Sequence, residues 1–305
     1  MSGRAGRAVW FLIVVVFALG AFYGIHRFRY RFVQSDDDLL RLLPDANGTV
    51  FFAKVDQIRA AGYLKLVEGT KPNQEKDYLA FVRKTGFDYA KDLSAVAGMA
   101  ADEQIWLALR GRFDWGNFRQ YAGAHGGKCD GDVCRVPGSM AGRTVTLRAI
   151  QPDVLALAIS GNRSGAERIR PGQNSLAIAS TAPLWIRPSA TLLANPAALP
   201  LALRIFAISL ESAQSVVLGV EPSEANGAAF AVSIDAAFSN QAAAETARDQ
   251  LDRSTSMLKL EFARDHRKPD PGDLAWLLTS GSFQAAGRQL IGSWPVRREL
   301  LGTLQ

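Results

Sequence analysis

Residues 144–159, TVTLRAIQPDVLALAI, read as two β-strands folded back on each other about Gln151-Pro152-Asp153. Apolar and β-branched residues on each side suit strands, and the Pro-Asp pair suits the reversal between them. A hairpin of this kind belongs to an antiparallel sheet. A short helix is expected after it, over about residues 164–170. The same order closes the chain: a hairpin over residues 282–294, with Phe283, Leu290 and Ile291 as its apolar positions, and then a terminal helix over residues 297–304. The repeated ending predicts an α+β chain of two modules with antiparallel sheets, residues 35–172 and 173–305. Pro171-Gly172-Gln173-Asn174-Ser175 marks the boundary between them.

Within the first module, Ser35 or an aspartate of Asp36-Asp37-Asp38 is placed to cap a short helix through LLRLL, which Pro44 ends. Asp45-Ala46-Asn47-Gly48 turns the chain into Thr49–Val55, an apolar run that reads as a buried strand. Asp56 is expected to cap the next helix. Another helix covers about residues 76–84, with Tyr78, Leu79, Phe81 and Val82 facing the core and Gly86 ending it. A further element spans 93–99, a strand 104–109 and a helix 114–121. In the second module, strands are expected at 184–186, 206–210, 215–220 and 228–235. The longest helix is placed over residues 240–262, capped by Ser239, with Ala247, Leu251, Ser254, Leu258 and Phe262 on one face. Arg248–Asp252 and Asp249–Arg253 are spaced as i,i+4 pairs on its wet face. A short helix follows at 273–278.

Residues 9–25, VWFLIVVVFALGAFYGI, carry no charge. A bilayer-spanning helix needs about 17–25 apolar residues, so the run suffices at the short end. Trp10 and Tyr23 sit where an interfacial aromatic belt would place them. The expectation is a transmembrane helix within residues 1–34, touching membrane lipid and anchoring everything behind it. The alternative is a cleaved signal peptide, with Arg4 and Arg7 as its basic region and Ala18-Leu19-Gly20 supplying small residues for cleavage.

The net charge of +6 suggests nucleic acid only until the arginines are located. Arg4, Arg7, Arg27, Arg29 and Arg31 flank the apolar run, and without them 30 basic residues face 29 acidic ones. The basic excess therefore suits lipid headgroups, and no nucleic-acid partner is expected. Arginines on both flanks leave the orientation nearly undecided. Cys129 and Cys134, in KCDGDVC, bear on it. They flank the Asp130-Gly131 turn signal, and two cysteines with no others suit a small disulfide in an oxidising compartment. Two reduced thiols are the alternative. CxxxxC spacing with only His125 nearby does not suit a metal. The soluble part is accordingly expected to be periplasmic or otherwise extracytoplasmic. The Arg27–Arg31 cluster keeps open a cytoplasm-facing subunit of a membrane complex.

Leu43-Pro44-Asp45-Ala46, then Val50-Phe51-Phe52-Ala53-Lys54-Val55-Asp56, resembles the opening of a group of uncharacterised bacterial exported proteins that share a domain of unknown function. Thr85-Gly86-Phe87-Asp88 followed by Lys91-Asp92-Leu93 resembles acidobacterial members of that group. The resemblance covers about residues 39–160. It implies an extracytoplasmic α+β domain behind an anchor and brings no catalytic residues with it.

Chemistry-bearing motifs each have a plainer reading. His26, His125 and His266 read as surface residues. His125-Gly126-Gly127 lacks the G-x-S-x-G partner of a lipase. Gly161-Asn162-Arg163-Ser164-Gly165 lacks the spacing and lysine of a phosphate loop and reads as a helix start capped by Ser164. Ser256-Met257-Leu258-Lys259 matches S-x-x-K, but S-D-N and K-T-G are absent. Consecutive Asp36, Asp37 and Asp38 do not give a calcium loop. Asn47-Gly48-Thr49 reads as a turn. Trp106, Phe113, Trp115, Phe118 and Tyr121 form either a core helix packed on a sheet or a stacking surface for sugar or peptide. No catalytic, cofactor or metal residues are assigned. The sequence points to a membrane-anchored, non-catalytic binding or scaffold domain with an envelope protein partner. An anchored, hydrolase-like envelope enzyme with a scattered site is the rival.

Overall fold

The computed structural model describes residues 33–64, 76–161, 165–195, 201–223, 229–264 and 274–297. The apolar run 9–25, His26, Ser164, His266 and the expected terminal helix beyond Arg297 lie outside them. Among the described residues no helix is long and apolar enough to cross a membrane.

The strands are β1 Thr49–Lys54, β2 Leu93–Ala101, β3 Gln104–Gly111, β4 Lys128–Asp130, β5 Val133–Pro137, β6 Thr144–Gln151, β7 Val154–Ser160, β8 Leu184–Arg187, β9 Ser215–Pro222, β10 Ala229–Ala237, β11 Ser282–Ala286 and β12 Gln289–Arg297. The helices are α1 Asp36–Arg41, α2 Val55–Ala60, α3 Lys76–Thr85, α4 Tyr89–Asp92, α5 Trp115–Ala124, α6 Ala190–Leu193, α7 Leu201–Ser209, α8 Gln241–Arg264 and α9 Leu274–Thr279. A 3-10 turn occupies Ala166–Arg168.

The fold is mixed α+β. All twelve strands form one antiparallel sheet in the order β11-β12-β10-β9-β8-β1-β2-β3-β7-β6-β5-β4. Strands from residues 35–172 and 173–305 meet where β8 pairs with β1. Each segment has its own buried cluster. Leu39, Leu40, Phe52, Ala97, Trp106 and Trp185 belong to the first. Phe206, Val216, Ile234, Leu251, Phe283 and Leu290 belong to the second.

Strand register assigns the faces, because side chains alternate with period two. Arg187, Val50, Met99, Trp106 and Ala158 form one row across β8, β1, β2, β3 and β7. On this face α1 rests on β2 and β3, where Ala95, Ala97 and Ala108 leave room for Leu39 and Leu40. The helix is held at its start by a capping box: Ser35 accepts from the Asp38 amide and Asp38 accepts from the Ser35 amide. Arg110 donates to Asp36 at 2.8 Å, and the Ile178 amide donates to Asp37 at 2.6 Å. Asp36 therefore docks α1 to the sheet, Asp37 ties it to the segment before β8, and Asp38 caps it.

The opposite face carries the other helices. Phe118 and Ala122 of α5 pack on Cys134, Leu147 and Leu155. Ala244, Ala247 and Leu251 of α8 pack on Val216, Ile234 and Leu290. Phe51 lies on this face directly over Gly98, where an added Cβ would come within 2.0 Å of the phenyl ring. Glycine is the residue that admits this close approach.

Several local expectations give way. Residues 206–210 are not a strand: they end α7, with Phe206, Ala207 and Leu210 buried and Ile208 exposed. Short apolar runs do not separate helix from strand, and here the spacing of three and four was the informative one. The N-cap of α2 is Lys54, and Asp56 lies inside the first turn. Asn240, not Ser239, caps α8 by accepting from the Ala243 amide at 2.9 Å. The buried positions of α8 are Ala244, Ala247, Leu251 and Thr255. Its charges do not form the expected i,i+4 pairs: Arg248 bonds the adjacent Asp249 at 2.5 Å, and Arg253 bonds the Asp249 carbonyl at 3.0 Å. Exposed pairs of this kind hold little energy, so near-equivalent partners exchange readily.

Candidate functional site

The dense aromatic run divides between the two faces of the sheet. Trp106 is buried beside α1 and carries the Arg168 guanidinium 4.8 Å above its ring. Phe113 and Phe118 pack with Phe81 and Phe87 on the other side, at centroid distances of 5.1 to 6.4 Å. These rings are core, linking α3 and α5 to the sheet. Tyr121 stacks on His125 at 4.0 Å, and the His125 Nδ1 lies 2.8 Å from the Tyr121 carbonyl. His125 is exposed and follows the last turn of α5. Ser256 and Lys259 both point to solvent from α8.

Cys129 and Cys134 are opposite each other in the β4–β5 register and are joined, with Cα atoms 4.0 Å apart. Gly131 takes a φ of 55°, as the tight reversal between them requires. Cys134 is fully buried against the α5 cluster.

The richest knot of titratable side chains joins α3 and α4. The Tyr78 hydroxyl donates to Asp88 at 3.1 Å, Lys91 pairs with Asp88 at 2.8 Å, and Arg112 pairs with Asp92 at 2.6 Å. Burial pushes the Tyr78 hydroxyl up, and Asp88 adds to the shift. Burial also pushes the Asp88 carboxyl up, but bonds from Lys91, Tyr78 and the Ala90 amide outweigh it, and the net shift is downward. Asp38 is lowered as well, first by the Ser35 amide and then by the Ser35 hydroxyl. A general acid needs its carboxyl raised toward neutrality, and these two move the other way. Among the described residues no three His, Cys, Asp or Glu side chains converge to hold a metal ion.

A different place combines space with unspent polarity. A cleft of about 530 Å³ opens where the two cores approach, beside the β1–β8 pairing. Val50 and Met99 form its floor, Leu176 leans in from the first core, and Leu193 of α6 and Ala213 lean in from the second. Gly48 closes one side, 2.8 Å from Met99 Cγ at its would-be Cβ. Arg187 lines the cleft and is half-buried. Its register partner is Val50, so both side chains lie on the same face of the sheet. Among the described residues Arg187 has no hydrogen-bond or ion-pair partner, and neither has the side chain of Glu211, which is exposed at the cleft.

The sequence reading did not single out Arg187 or Glu211. A signal for Arg187 was present: Trp185 and Arg187 are two residues apart in a strand and share a face, which puts a cation beside a core tryptophan. Nothing local marks Glu211, which reaches the cleft from the turn after α7.

No family model matches the chain, and no curated protein matches it. Among solved structures it is similar to TP0453. Crystal form I matches with a TM-score of 0.50 and 11% identity, covering 89% of this chain and 98% of that one. Crystal form III matches with a TM-score of 0.51 and 9% identity, covering 88% and 97%. At such identity the likeness is one of fold.

Proposed function

We propose that this chain is a membrane-anchored, extracytoplasmic binding protein of the cell envelope. Residues 9–25 would hold two α+β modules, fused edge to edge through β1 and β8, at the membrane surface. The observation that carries the binding reading is the cleft at that seam. It joins an apolar floor to a cation without a partner among the described residues, the usual composition of a ligand pocket: mostly apolar walls with a few polar groups that orient the ligand. The anchored location is supported by the apolar run with its arginine flanks, by the near-neutral charge of the rest, and by the resemblance of residues 39–160 to exported proteins. Cys129 and Cys134 add to it, since a paired pair of cysteines suits an oxidising compartment. The experiment is membrane fractionation followed by salt and detergent extraction. The chain is expected to stay with membranes in high salt and to leave them in detergent. Release by salt alone would overturn the anchor.

A further inference from the structure

The geometry points to a small aliphatic monocarboxylate as the ligand of the seam cleft, with its carboxylate on Arg187 and its hydrocarbon body against Leu176 and Leu193. This rests on the binding reading above and adds the chemistry of the ligand.

A guanidinium left as Arg187 stands is costly. Arginine carries five N–H donors in a planar fork and stays charged at all relevant pH. Arg187 is half-buried in the cleft, and among the described residues none of those donors has a partner. Other arginines in the same sheet do not stand that way: Arg110 bonds Asp36, Arg148 bonds Asp132, and Arg135 bonds Glu167. A carboxylate fits the fork with two parallel hydrogen bonds, which are charge-assisted and directional. The ligand's second half follows from the floor. Val50 and Met99, each 2% exposed, close the base of the cleft, and the half-buried Leu176 and Leu193 present its apolar surface. A molecule bound at Arg187 would place its body against Leu176 and Leu193, over the closed base formed by Val50 and Met99.

The charge count then narrows the head group. Among the described residues Arg187 is the one cation lining the cleft, and Glu211 lines it too. A single positive charge neutralises a single negative one. A phosphate monoester or a dicarboxylate would bring a second negative charge into a cleft that already holds the Glu211 carboxylate, with no cation to meet it. A monoanion brings only the charge that Arg187 meets, so Glu211 repels it less than it repels a dianion.

The test is isothermal titration of the full chain in lipid nanodiscs with hexanoate, hexanol and hexylamine, with empty nanodiscs as the blank. Saturable hexanoate binding is expected, at least tenfold tighter than that of hexanol or hexylamine. Arg187→Gln should weaken hexanoate at least tenfold and leave hexanol unchanged. Glu211→Gln should tighten hexanoate. Arg187 makes no bond among the described residues, so its loss should leave the melting temperature near that of the parent, which is measured alongside. Equal binding of hexanol and hexanoate, insensitive to Arg187→Gln, would overturn the carboxylate assignment and leave the cleft a binding site. Weaker hexanoate binding in Glu211→Gln would overturn the monoanion. Failure of all three probes to bind would overturn the ligand class and remove the cleft's support for the binding reading.

Discussion

Phe52 of β1 and Trp185 of β8 face each other across the pairing that joins the two segments, with ring centroids 6.0 Å apart and planes 25° from parallel. Both are buried to within 1% of full. Trp185 comes from the second segment yet lies in the first core. The stack is therefore where the fold of one segment depends on the other. Trp185→Ala should cost roughly 3–5 kcal/mol, the usual loss for a buried aromatic, read as the drop in urea unfolding free energy. Trp185→Phe should cost less, because the buried indole N–H has no hydrogen bond to lose. A loss below about 1 kcal/mol for the alanine variant would mean that the stack does not hold the seam.

Gly98→Ala tests the opposite face. Its Cβ would fall within 2.0 Å of the Phe51 ring, so the ring must leave its position over β2. The expected cost is about 1–3 kcal/mol, the range for overpacking. Trimming the ring in Phe51→Leu should recover part of it. Two single costs that simply add in the double variant would contradict the contact.

The lowered carboxyls of Asp38 and Asp88 set an acid limit. A group whose folded value lies below its unfolded value stabilises fully above the unfolded value, near about 3.9 for Asp, and loses that contribution as pH falls through the folded value. Urea midpoints should accordingly fall as the pH drops below about 4. Asp38→Asn with Asp88→Asn should lower stability at neutral pH and flatten the acid slope. An unchanged slope would place the acid sensitivity elsewhere.

Replacing Cys129 and Cys134 together by Ser should leave the chain folded. The pair encloses a short loop, with a sequence separation of 5, so the entropic stabilisation falls below the roughly 3 kcal/mol of a fifteen-residue loop. Hydrogen exchange should quicken in β4 and β5 and remain slow in β1, β2 and β8. Global unfolding of the double variant would give the bond a larger role than its span allows.

Much of the fold is local and was legible as such. The β6–β7 hairpin, the capping of α1 by Ser35 and the stop of α3 at Gly86 each follow from residues within one turn or one reversal. Gly86 has a φ of 71°, and its amide bonds the Val82 carbonyl, as a helix-ending glycine should. What sequence reasoning missed is non-local. Pairing of β8 with β1 brings together residues about 135 positions apart, Val50 with Arg187 among them, and no periodicity reports which strands will meet. The cleft is a product of that pairing. Its cation was visible as an arginine on a core face, but its neighbours were not. The end of α7 looks like a strand in sequence because four or five apolar residues carry too few turns to show a period.

Display of this domain outside the cytoplasmic membrane, on an N-terminal anchor, can be read in spheroplasts that express Cys134→Ser, which leaves Cys129 as the sole thiol. Cys129 is partly exposed in β4. A membrane-impermeant maleimide should label it in intact spheroplasts to the same extent as after lysis. Labelling that appears only once the spheroplasts are broken open would place the domain in the cytoplasm and contradict the account.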